Sequence, residues 1–116
     1  MRWSKKHVAV ATGTTVPNSS TAAGQTNNPP NRSSVGRFAA VASVAGVLCS
    51  LTIGSEVILQ DQELMIRPTT EGIRLLDDTI VPSVGVMAGE AISVSFRNTN
   101  AGAADITWLF DLLPAG

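Results

Sequence analysis

The sequence predicts an all-β fold, a small antiparallel β-sandwich or jelly roll preceded by an extended N-terminal arm, and three observations carry that expectation. Short apolar runs alternate with polar residues through the C-terminal two thirds of the chain. Gly, Pro, Asn and Asp separate those runs at close spacing, and no helical period competes with the alternation. Residues 1–36 hold few large apolar groups and are rich in Ser, Thr, Asn and Pro. The expected organisation is therefore an arm over 1–36 and a β-sandwich domain over 37–116.

Residues 89–112 show the alternation best. Ile92, Val94 and Phe96 share one face of an extended chain, opposite Ser93, Ser95 and Arg97. Ile106, Trp108, Phe110 and Leu112 share a face further on, opposite Asp105, Thr107, Leu109 and Asp111. Residues 98–102 between them are Asn-Thr-Asn-Ala-Gly, which is turn chemistry because Asn and Gly tolerate positive φ. The pattern predicts a β-hairpin with Trp108 in the core.

The arm begins with Arg2, Trp3, Lys5 and Lys6 and continues into a polar tract in which Asn27-Asn28-Pro29-Pro30-Asn31 cannot be helical. With so little to bury, it does not offset its own ordering entropy, and order is expected only against other subunits. The apolar stretch over residues 8–11 is too short for a secretory signal. Residues 38–55 carry no charge between Arg37 and Glu56, long enough to raise the alternative of a membrane-spanning helix. Val47, Cys49, Leu51 and Ile53 alternate there with Leu48, Ser50 and Thr52, which favours a strand.

Further short runs follow. Residues 56–59 and 63–67 read as strands around Gln60-Asp61-Gln62, 73–76 as another, and 79–81 and 84–87 as two more flanking Pro82-Ser83.

Composition narrows the function classes. The chain has 116 residues, 44% of them hydrophobic but only 4% aromatic, so its core is thin and oligomerisation is the expected remedy. Cys49 is the single cysteine and sits in an apolar run, where it reads as a small buried hydrophobe. His7, among basic residues, reads as solvated. Neither a phosphate-cradling glycine loop nor a metal-ligand cluster nor a nucleophile–base set is present, so no enzymatic activity and no cofactor are expected. Asp77 and Asp78 are adjacent and read as a charged turn, while Asp105 and Asp111 read as solvated.

Charge is distributed unevenly within a net value of −1. Arg2, Lys5, Lys6, Arg32 and Arg37 are the charged side chains of residues 1–55, whereas nine acids and three arginines follow. A basic arm on an acidic domain implies a partner for the arm. Arg2, Trp3, Lys5, Lys6, Arg32 and Arg37 are the candidate contact residues. Arginine and tryptophan favour subunit interfaces, and the cations suit phosphates of nucleic acid or an acidic lipid surface.

This layout resembles the small capsid proteins of icosahedral viruses, in which an arm runs along the inside of a shell whose wall is a β-sandwich or jelly roll. Residues 88–99, Ala-Gly-Glu-Ala-Ile-Ser-Val-Ser-Phe-Arg-Asn-Thr, look like segments of phage structural proteins of β-sandwich type. The resemblance implies a non-enzymatic virion protein, located in the capsid, with copies of itself or other capsid subunits as partners. A β-part of about 75 residues is short beside an eight-stranded jelly roll, which favours a minor or decorating component. The competing readings are a small membrane-anchored protein using residues 38–55 as its span and a ligand-binding β-sandwich module.

Overall fold

Alternation of apolar and polar residues decides which segments become strands and which way each one faces. The computed structural model describes residues 2–16, 33–67, 78–87 and 89–114. These form β1 (Arg2–Val10), β2 (Thr15–Val16), β3 (Ser34–Ala42), β4 (Val47–Ile53), β5 (Glu56–Glu63), β6 (Met65–Ile66), β7 (Thr79–Val86), β8 (Ile92–Asn98) and β9 (Ala104–Pro114). One sheet runs β1-β9-β3, with β7 and β6 sharing the far edge of β3, and the other runs β2-β8-β4-β5.

The pairings nest. β1 lies antiparallel to β9, β2 to β8, β3 to β7 and β4 to β5. The β3–β9 and β4–β8 ladders then roll this long ribbon into two sheets. Eight strands nested and rolled in this way make a jelly roll, to which β6 adds a short parallel pairing with β3.

This order corrects two expectations. β8 and β9 alternate as predicted but do not pair with each other; they belong to opposite sheets, and residues 99–103 arch between them. Alternation requires only that each strand bury one face, and an arch meets that requirement as well as a hairpin does. The second concerns the N-terminal stretch. Residues 2–16, read as part of an arm outside the β-domain, supply β1 and β2, the first strands of each sheet, and β3 begins at Ser34, ahead of the expected boundary at 37. Backbone pairing with the long edge of β9 supplies what the side chains of this polar segment do not. Residues 17–32 lie outside the described residues, as does the run over 73–76.

Residues 38–55 are not a helix. They form the end of β3, a turn, the whole of β4 and the turn into β5. Among the described residues no helix is long and apolar enough to cross a membrane.

The core lies between the sheets. Phe38, Ala40 and Ala42 of β3 and Ile106, Trp108, Phe110 and Leu112 of β9 face Val47, Cys49, Leu51 and Ile53 of β4 and Ile92, Val94 and Phe96 of β8. Small residues stand beside large ones. Ala40 is paired with Trp108 and Gly36 with Leu112, and a β-carbon on Gly36 would lie 2.5 Å from the Phe110 ring. The alanine-rich β3 is therefore what makes room for Trp108 and Phe110, whose rings lie 6.3 and 6.1 Å from that of Phe38.

Several breaks expected between strands are bulges within them. Asp61 has φ of 50° inside β5 and donates its N–H to Ser50 Oγ. Pro82-Ser83 sits where the β3–β7 register slips, which leaves the proline without a ladder bond to donate.

Two outcomes test this core. Trp108→Ala, at a fully buried position, is expected to lower stability by about 3–5 kcal/mol in urea unfolding; a loss below about 1 kcal/mol would contradict a ring packed between the sheets. Burial pushes the Cys49 thiol up to about 12 from 9.0. The unfolded thiol ionises first as pH rises, so the unfolded chain holds fewer protons between those values. Stability should then fall through that window by up to about 1.4 kcal/mol per pH unit, and a Cys49→Ala variant should lose that part of the slope.

Candidate functional site: the edge that seats the N-terminal strands

The turn between β8 and β9 gathers the polar groups that hold the N-terminal segment. Asn98, the last residue of β8, is fully buried. Its side-chain N–H groups donate to the carbonyls of Val10 at 2.9 Å and Gly102 at 3.0 Å. Its Oδ1 accepts the N–H of Asn100 at 2.9 Å. Its backbone exchanges two further bonds with the turn after β1: the Gly13 N–H donates to its carbonyl and its own N–H donates to the Thr14 carbonyl. Thr12 Oγ1 donates to the Asn100 carbonyl.

The same turn ties the arch between β3 and β4. Thr99 donates to the carbonyl of Gly46 from its backbone and its hydroxyl, and Asn100 Nδ2 donates to the Ala45 carbonyl. Gly46 has φ of 84°, and a β-carbon there would stand 3.0 Å from Thr99 Oγ1. Only glycine meets both conditions easily.

β1 follows β9 in regular register from Arg2 opposite Asp111 to His7 opposite Ile106, then bulges before Val10 meets Ala104. At the bulge Ala9 has φ of 55°, and its N–H donates to Asp105 Oδ1 at 2.8 Å. Asp105 is thus half-buried and engaged rather than merely solvated. His7 also departs from the expectation of a solvated ring: it is half-buried, 6.3 Å from the ring of Phe96. Beyond the turn, Thr15 and Val16 of β2 pair with Arg97 and Phe96 of β8.

The candidate contact residues divide as follows. Arg2, Trp3, Lys5 and Lys6 all lie on β1, opposite Asp111, Phe110, Trp108 and Thr107 in register, and the Lys6 side chain is exposed. Arg37 is on β3, where it donates to Asp111 at 2.9 Å. Asp111 is the paired position for Arg37 on one side and for Arg2 on the other, so the fold brings these two candidates onto one row. The Asp111 side chain is 8% exposed, not solvated. Arg32 lies outside the described residues.

Other charged groups serve the scaffold. Asp78, expected in a charged turn, is buried against Arg67 at 2.6 Å, an arrangement whose loss is costly because it strands a charge; Asp77 lies outside the described residues. Arg97 and Asp61 approach to 3.6 Å on the outside of the other sheet, where both are half exposed and the pair contributes little. Among the described residues no three His, Cys, Asp or Glu converge as a metal site would require, and no cavity opens between them.

Sequence reasoning missed Asn98 and Asn100 as binding residues, because Asn in a turn reads as backbone chemistry. The signal was there only in the position of Asn98, which continues the inward-facing set of Ile92, Val94 and Phe96 and so put a polar group in the core.

The chain matches no family model, no curated protein and no solved structure.

Asn98→Ala would leave the Val10 carbonyl without its side-chain donor. The expected cost is about 2–3 kcal/mol in denaturant unfolding, with amide exchange of Gly13 accelerated more than that of Leu51 in β4. Equal acceleration at both amides would show that the side chain does not hold the N-terminal segment in particular.

Proposed function

We propose that this protein is a non-enzymatic structural subunit of a virion, a capsid or capsid-decorating component that associates with copies of itself or with other capsid subunits. The observation that carries the reading is the jelly-roll strand order, an architecture used by capsid shells, lectins and cupins alike. The side chains favour the first of these three. Phe38, Phe96, Phe110 and Trp108 are all spent in the core, so none of these four rings is available to stack on a sugar. What faces outward instead suits contact with other protein.

Val35 and Leu113 are exposed and directly paired on β3 and β9, and Gly85 is paired with Val35 on its other side. Exposed Met87 follows the end of β7. Met65 and Ile66 of β6 and Val57 of β5 are exposed as well. Adjacent exposed apolar side chains such as Val35 and Leu113 mark association surfaces. The full eight-strand roll also removes the reason for preferring a minor role over a shell-forming one, since residues 2–16 add the two strands that a domain starting at 37 would lack. Arg2, Lys5 and Lys6 place three cations along the outermost strand of one sheet, where a phosphate-bearing partner is the natural counterpart.

The test is assembly. Purified full-length chain should sediment as a defined oligomer or particle, and Leu113→Lys combined with Met87→Lys should shift it toward monomer without lowering its unfolding midpoint. A chain that stays monomeric across concentration and ionic strength would count decisively against the proposal.

A further inference from the structure

We infer that residues 2–16 are an exchangeable clip, and that in the assembled protein the β9 and β8 edges of each chain receive this segment from a second copy. The inference deepens the subunit reading above, since it names how one copy holds another.

The clip is a unit. Its first strand closes the edge of one sheet on β9 and its second closes the edge of the other on β8, joined by a short turn at residues 11–14. The bonds that seat it run to β9, to β8 and to the turn between them: the β1 and β2 ladders, Asn98 with Val10, Gly13 and Thr14, Thr12 with Asn100, and Ala9 with Asp105. All of these acceptors and donors belong to residues 92–114. The seat is therefore the same whether the clip arrives from its own chain or from a neighbour's.

What ties the clip to its own chain is residues 17–32. Those sixteen residues contain no Val, Ile, Leu, Met or aromatic side chain, and Arg32 is their single charge. Fully extended they reach roughly 53–58 Å, more than the 43 Å longest dimension of the molecule. A neighbouring edge is within reach.

Two equivalent seats compete by local concentration. A connection of sixteen residues gives the chain's own clip an effective concentration on the order of mM, and subunits packed side by side in a shell match or exceed it. Exchange of an identical element between copies then adds no new contact surface and needs no new complementarity.

Cysteines placed across the clip's ladders test this directly. Lys6 is paired with Thr107 and Thr15 with Arg97, and antiparallel partners sit at a separation a disulfide spans. Lys6, Thr15 and Arg97 are exposed and Thr107 is half-buried, so the core is left intact. Cys49, buried with its thiol pushed up to about 12, does not compete. Full-length K6C and T107C chains are mixed in urea, refolded together at about 1 mM chain and oxidised. T15C and R97C chains are treated likewise, and the doubly substituted chains report correct seating.

Exchange predicts a K6C–T107C disulfide heterodimer holding about a quarter of the chains where own and neighbouring clips compete equally, rising to about half where exchange is complete, and the same for T15C with R97C. Absence of both heterodimers overturns it, whether or not the doubly substituted chains close internally. Sedimentation of the same mixtures under reducing conditions separates the two proposals. Oligomers without interchain disulfides overturn the exchange alone, and monomers without them overturn the subunit reading as well.

Discussion

The buried amide of Asn98 is the contact on which the rest of this roll converges. It lies at the end of a strand whose other inward positions are apolar, and a polar side chain there is tolerated only because its hydrogen-bonding groups are engaged. Those bonds reach in two directions at once, to the end of β1 and across its own turn. Thr99 and Asn100 extend the network to the β3–β4 arch. Three separate stretches of chain, 10–14, 45–46 and 98–102, are thereby tied together at one end of the sandwich.

Around that point the packing is a matter of volume. Four large rings sit in a sandwich with few other large groups, and they fit because β3 presents Gly36, Ala40 and Ala42 where β9 presents its bulk. A composition that reads as thin is better described as unequal, with one strand supplying size and its neighbour supplying space. The charged groups follow the same economy. Asp111 and Asp78 are buried, and each has an arginine from another strand or loop within bonding distance, so charge is used to join elements rather than left to the surface.

Much of the fold was legible. The inward sets on β4, β8 and β9 follow from period-two alternation, and each one is buried as expected. The breaks at Gln60-Asp61-Gln62 and Pro82-Ser83 were visible too, but as interruptions whose meaning was open; bulges let the strands continue through them. The candidate site was legible only in part. Arg2 and Arg37 were singled out for their charge, yet Asp111, the register partner of both and the acceptor for Arg37, was assigned to solvent, because burial on the outer face of a sheet depends on what the neighbouring strands bring there. His7 was misplaced for the same reason, since its half-buried ring depends on Phe96 of the opposite sheet.

By itself the sequence determined that the chain from about residue 37 onward is β in class, which face of its long strands is apolar, and where it must turn. Those are properties of neighbouring residues, and they survive whatever the strands later meet. Only the tertiary structure decided which strands pair. A strand with one apolar face is equally satisfied by a hairpin partner or by an arch to the opposite sheet, so the predicted hairpin over 89–112 became an arch. The polar N-terminal stretch became two strands because the edges of β9 and β8 offered backbone bonds that its own side chains never announced.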